Sequence, residues 1–171
     1  MELKELTDKT LELFNVADPQ KLGEALIVSC SDVEKLRSFR DLINGELEKD
    51  WMQMIYQYYL ADRKEKKQDY TPATLADFMG RLTGDSDKII DMCAGTGALI
   101  IQKWADKTNT QFVAMELDEN VIPFLLFNMV LRNIKCKVVQ IDVLSGEGPA
   151  HQWEVEKGEE FGHIADFKSA V

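Results

Sequence analysis

The run Asp91-Met92-Cys93-Ala94-Gly95-Thr96-Gly97 combines an acid, several small side chains and two glycines. Gly95 and Gly97 allow a sharp turn that approaches a ligand with no Cβ in the way. The run follows the apolar stretch Lys88-Ile89-Ile90 and precedes helix-compatible residues from Ala98. It therefore reads as a strand-to-helix turn, which in open α/β sheets lies at the ligand-binding edge. Leu99 and Ile100 stand where a dinucleotide fingerprint has its third glycine, and no Lys-Ser/Thr pair of a phosphate loop follows. The pattern argues against a pyrophosphate and for a nucleoside that carries an amino acid. A tight turn without any ligand would use the same residue types.

Glu116 closes the next apolar run roughly 20 positions beyond Gly97, the spacing at which an acid accepts hydrogen bonds from ribose hydroxyls. Leu117 beside it would pack on an adenine ring. Helix capping is the competing role for Glu116, but Asp118 and Glu119 suit that task and leave Glu116 for a ligand. Asp142 ends a third run at the same edge and would accept from an adenine amino group, although an aspartate there is common without a ligand. Upstream, Tyr70-Thr71-Pro72 leads into a helix near Ala73. Thr71 is the expected N-cap and Pro72 the first helical residue. That helix end would also receive a carboxylate.

Three strands must position these residues, over 88–92, 111–116 and 137–142, with helices over 98–107 and about 120–133. Pro123 falls in the first turn of the second helix, where its missing N–H costs nothing. Strand, helix, strand, helix, strand is the β-α-β-α-β unit of a parallel doubly wound sheet. Residues 1–67 read as helices, with a break at Asp18-Pro19, a cap at Ser31 or Asp32, a stop at Asn44-Gly45, and a last helix from Glu46 to Arg63. The Trp51, Met54, Ile55, Tyr58, Tyr59 stripe has the spacing of a packing face. Residues around Trp153-Glu154-Val155 and Phe161-Gly162-His163-Ile164 suit a hairpin. Two regions follow: a helical region over 1–67 and a sheet domain over 68–171.

The chain has 171 residues, is 45% hydrophobic and carries a formal charge of −10. It can bury one ordinary core. Affinity for DNA comes mainly from Lys and Arg on phosphates, so this balance makes a poor free-standing DNA binder. The densest basic run, Arg63, Lys64, Lys66 and Lys67, suits a solvated helix end. Cys30, Cys93, Cys136, His151 and His163 lack metal-site spacing, so no metal is expected. Unpaired cysteines, an acidic amphipathic start and no long apolar run suit a cytoplasmic protein away from membranes.

Taken together, Tyr70-Thr71-Pro72, Asp91 to Leu99 and Glu116-Leu117-Asp118 resemble the adenine-N6 DNA methylases, above all the modification subunits of type I restriction systems. Phe127 to Ile134 is similar to the helix after the ribose-binding acid in those subunits. The resemblance covers about Gln68 to Leu144 and extends to short methylase-like proteins of phages and mobile elements. It implies a Rossmann-like S-adenosylmethionine-dependent methyltransferase sheet with an N-terminal helical extension. It also implies that S-adenosylmethionine is held by Tyr70, Thr71, Pro72, Asp91, Cys93, Ala94, Gly95, Thr96, Gly97, Glu116, Leu117 and Asp142.

One departure limits what the resemblance implies. The family places (Asn/Asp)-Pro-Pro-(Phe/Tyr) after its fourth strand to hold the flipped base. The four prolines here are Pro19, Pro72, Pro123 and Pro149, and none adjoins another. Asp166-Phe167 is the nearest acid-aromatic pair. No catalytic residue is thereby assigned. Two readings stay open: a DNA adenine methyltransferase, or a cofactor-binding module that completes or regulates another subunit of a restriction-modification or mobile-element system. Either predicts association with itself or a protein partner, through the helical region or a sheet edge, with DNA reached through another subunit. The segment 153–164 is the one available to cover the edge beside the first strand.

Overall fold

A computed structural model describes residues 2–61, 64–65, 70–84, 86–105 and 110–169. Five helices come first: α1 (Leu3–Leu13), α2 (Leu22–Ser29), α3 (Val33–Leu42), α4 (Trp51–Tyr59) and α5 (Ala73–Leu82). There follow β1 (Lys88–Asp91), α6 (Ala98–Ala105), β2 (Gln111–Glu116), α7 (Ile122–Leu131), β3 (Cys136–Gln140), β4 (His151–Glu156) and β5 (His163–Ser169). The expected β-α-β-α-β unit is present, with β1, β2 and β3 parallel and neighbours in that order. The basic run at 63–67 and the expected boundary between 67 and 68 fall largely or wholly outside the described residues.

Local chemistry explains the helix ends. Asp18 accepts from the Gln20 N–H at the break before α2, and Asp32 accepts from Lys35 to start α3. Asn44 and Gly45 take positive φ and stop α3, the left-handed turn that favours these two residues. The expected helix from Glu46 to Arg63 is shorter. Residues 46–50 stay outside it because their carbonyls are taken by side chains: Glu46 by Trp51, Leu47 and Lys49 by Arg132, Glu48 by Gln102. Asp50 then caps α4 through the Gln53 N–H.

Helix α7 is apolar on every side, and Phe124 to Leu131 are all buried. A helix of that kind must be covered all round. The sheet covers one side through β3 and β4, while α2 and α4 cover the other. One hydrophobic cluster therefore runs from Leu6 in α1 to Phe161 before β5, and the helical region shares its core with the sheet.

The hairpin expected around Trp153 and Phe161 forms as antiparallel β4 and β5. It pairs with β3, giving the order β1-β2-β3-β4-β5. The segment expected to cover the edge beside β1 therefore lies at the far side of the sheet, and among the described residues no strand pairs with the outer edge of β1. The two ends of the sheet face opposite α7 also differ. Near the hairpin it carries the ion pairs Lys135–Glu156 and Lys137–Glu154. At β1 it carries Ile90, 52% exposed, and beside that edge α5 presents exposed Leu75, Phe78, Met79 and Leu82. Among the described residues no helix is long and apolar enough to cross a membrane.

Candidate functional site: the glycine-rich turn and its two sides

The turn after β1 is shaped by its own sequence. Gly95 and Gly97 have φ of +55° and +98°, a region that side-chain-bearing residues seldom occupy. A Cβ on Gly97 would meet Met129 Cε at 2.8 Å and Leu125 Cδ1 at 3.0 Å, so the turn lies directly on α7. A Cβ on Gly95 would lie 3.4 Å from Tyr70 Cε1. The Tyr70 ring thus sits over the turn, edge-on to Tyr56, and burial raises its phenol above the usual value.

The outward side lies at the carboxyl ends of the strands. Asp91 faces the helices in the row that continues through Ala114 and Val138. Its Oδ1 accepts from the Cys93 N–H at 3.2 Å, whereas its buried Oδ2 has no partner among the described residues. Burial pushes its carboxyl above the ordinary carboxylate range, and nearby Glu116 adds to the push. Ala94 donates to the Met115 carbonyl, and Cys93 is exposed. Glu116 Oε2 accepts from the Gly95 N–H at 2.8 Å, and Oε1 accepts from the N–H groups of Leu117 and Asp118 at 2.9 Å. The expected division of labour is thus shifted: Glu116 ties its own turn to the glycine-rich one, Asp118 accepts from the Asn120 N–H in the turn before α7, and no side chain caps that helix. A carboxylate has about four acceptor positions, so Glu116 retains room for a hydroxyl. Met92 and Leu117 expose apolar side chains at this rim.

Asp142 lies just past β3, which ends at Gln140, two residues earlier than expected; its Oδ1 accepts from the Leu144 N–H at 2.9 Å. The Tyr70-Thr71-Pro72 segment leads into α5 as expected, but Pro72 occupies the N-cap position and no side chain caps the helix. Thr71 cannot serve as N-cap because Pro72 keeps an extended ψ of 145°, which delays the first helical residue to Ala73. The Thr71 carbonyl accepts from Gln53 Nε2. Asp166-Phe167 lies on β5, four strands from β1, or about 19 Å at ordinary strand spacing. Asp166 pairs with Lys168, and Phe167 stacks on His151 and meets Trp153 at a tilt. That pair is remote from the turn.

The inward side was not foreseen. Thr96 is buried and its hydroxyl donates to Asp50 Oδ2 at 2.7 Å. Asn128 Nδ2 donates to Asp50 Oδ1 at 2.9 Å and to the Thr96 carbonyl at 2.8 Å. Arg132 donates to Asn128 Oδ1 at 2.8 Å as well as to the Leu47 and Lys49 carbonyls. Burial pushes the Asp50 carboxyl up, opposed by Arg132 and the donated hydrogen bonds, while burial brings Arg132 down to about 10. The available signal was Asn128 and Arg132, two polar residues four apart in an otherwise apolar helix, which must find partners when buried.

The sequence profile of the N-6 DNA methylase family matches residues 47–156, well over half of the chain. The chain belongs to the N-6 DNA methylase family. The match begins at Leu47, so it takes in most of the clamped segment before α4 as well as β1 to β4. Among solved structures, the chain is similar to a protein from Listeria monocytogenes described as a class I S-adenosylmethionine-dependent methyltransferase, at 14% identity and a TM-score of 0.44. The similarity covers 82% of this chain, which spans only 55% of that protein. A comparison with curated proteins gives no match. For this methylase-family chain, an S-adenosylmethionine site has to suit a cation, a ribose and an adenine. An unpartnered buried carboxylate oxygen, an acid at the end of β2 and an apolar rim fit those three parts.

Proposed function

We propose that this chain is the methyl-donor half of an adenine-N6 DNA methylating system: it binds S-adenosylmethionine at the turn from Asp91 to Gly97 and transfers no methyl group by itself. The observation that carries the reading is the buried, unpartnered Oδ2 of Asp91 beside the glycine-rich turn. A carboxylate oxygen withdrawn from water with no donor is costly unless a ligand supplies a positive charge or a donor. The α-ammonium of the methionine part is such a group. Glu116 would take a ribose hydroxyl, Leu117 would pack on the adenine, and the uncapped start of α5 would receive the carboxylate.

The bound donor supplies an electrophilic methyl group. This chain's residues hold and orient it, but transfer also needs an adenine amino nitrogen in line at near-attack distance. No Pro-Pro motif is present to hold a flipped base, and Asp166-Phe167 lies too far away to replace it. In this reading a further protein subunit brings the DNA and base site, docking where the sheet is unfinished at β1 and α5. Parallel sheets are ordinarily covered on both faces, and exposed edges are ordinarily protected.

Calorimetric titration with S-adenosylmethionine tests the first part, with S-adenosylhomocysteine as a second ligand; no heat from either overturns it. Incubation with tritiated donor and unmethylated bacterial DNA tests the second. Label in N6-methyladenine should not exceed that of a Gly95→Asp control. Turnover by the chain alone would show that another residue replaces the missing motif, with Asp142 the first to mutate.

A further inference from the structure

The segment 46–50 has no role in the reading above, yet all of its carbonyls up to Lys49 are engaged by side chains from α4, α6 and α7. It ends at Asp50, a buried acid outside the sheet that touches the glycine-rich turn. We propose that Asp50 is a positioning residue for that turn, which makes the helical region part of the methyl-donor site. This rests on the reading that the turn binds the donor.

The geometry carries the inference. Asp50 accepts three hydrogen bonds, from the Gln53 N–H, the Thr96 hydroxyl and Asn128 Nδ2. One carboxylate thereby joins the start of α4, the middle of the turn and the centre of α7. Thr96 sits between Gly95 and Gly97, which both take positive φ in this turn. Glycines hold such a conformation only loosely by themselves. The Thr96 hydroxyl and carbonyl, fixed by Asp50 and Asn128, supply two anchors between them. The Glu116 contact to Gly95 supplies a third from the opposite side. A turn already fixed before the ligand arrives loses less freedom on binding, so anchoring should appear as affinity.

Thr96 is the residue to change, because Asp50 also caps α4 and its removal would disturb more than the turn. Two quantities separate positioning from general support: donor affinity by calorimetry, and hydrogen exchange at the Gly95, Gly97 and Ile101 amides without donor. Thr96→Val, which keeps the shape and loses the hydroxyl, should bind S-adenosylmethionine about tenfold more weakly. It should also exchange those three amides at least about tenfold faster, with the amides of α1 to α3 unchanged. Thr96→Ser, which restores the hydroxyl, should lie within about twofold of the native chain on both counts. Should Thr96→Val not fold, Thr96→Ala takes its place with the same expectations. Unchanged loop exchange in the folded variant, or equal acceleration throughout the chain, overturns the positioning role. If the native chain binds no donor, the proposed function fails and exchange alone still decides whether Asp50 holds the turn.

Discussion

The two sides of the glycine-rich turn are built in opposite ways. Its inward side meets a buried polar network in which Asp50, Thr96, Asn128 and Arg132 satisfy one another. Its outward side ends in Asp91 with one unpartnered oxygen, in Glu116 with acceptor capacity to spare, and in exposed Met92 and Leu117. Completed polar networks rigidify a structure, whereas incomplete ones are costly in the absence of a further partner. The contrast assigns shape to the inner side and ligand chemistry to the outer side. Substitutions inside should therefore reach binding only through the order and stability of the turn, and substitutions outside should act on the ligand directly.

Arg132→Met should have the largest effect. The guanidinium is fully buried and donates to two backbone carbonyls before α4 as well as to Asn128. Its loss leaves those two carbonyls and Asn128 Oδ1 without their donors. Buried acceptors left without donors cost about 1–3 kcal/mol each, so losing these three together should cost about 3–5 kcal/mol. In a chain of this size, that is a fall of roughly 6–20 °C in Tm. Calorimetric unfolding would measure it, and a fall of a degree or two would show that the network is not the frame of the turn.

How much of this was legible in the sequence follows from range. The three parallel strands, α6, α7, the hairpin and the acid at the end of β2 all follow from periodicity and short motifs, which act over a few residues. The stop at Asn44-Gly45 and the cap at Asp32 are equally local. Asp50 was absorbed into an expected helix because nothing near it marks residues 46–50 as non-helical; that depends on Arg132, more than eighty positions away. The hairpin's place was likewise hidden. Alternation predicts a hairpin, but which edge it joins depends on where α7 and the helical region leave room. Glu116 was read as free for a ligand because its bond to the Gly95 N–H spans 21 residues.

Glu116→Ala comes next, and it tests the outer side. Charge-assisted hydrogen bonds contribute roughly 1.5–3 kcal/mol each. Loss of the ribose contact should weaken S-adenosylmethionine about tenfold or more. Because Glu116 also accepts from Gly95, the free variant should show faster exchange at Gly95 while α7 stays protected. Affinity equal to that of the native chain would remove Glu116 from the ribose.

Asp91→Asn should have the smallest effect and the most distinctive sign. Burial raises the Asp91 carboxyl, which means that the folded chain holds this proton more tightly than the unfolded chain does. The stability such an acid contributes is fully present below its ordinary value, and it is lost as pH rises from there through the raised folded-state value. At neutral pH the unpaired carboxylate is therefore a liability in the free protein. An unpaired amide costs less than an unpaired charge, so Asp91→Asn should raise Tm of the free chain by a few degrees. Binding runs the other way. In the proposed site the donor's ammonium faces this carboxylate, so the variant should bind about fivefold more weakly, roughly 1 kcal/mol. Native affinity should decline on acidification through a pH above the ordinary aspartate value of about 3.9, while the variant's affinity should lack this decline. Every other ionisable group is common to both proteins, so the difference between their pH profiles isolates Asp91. Opposite signs for Tm and affinity would identify a group kept for its ligand. A loss in both would place Asp91 with the inner network, as a residue that only shapes the turn.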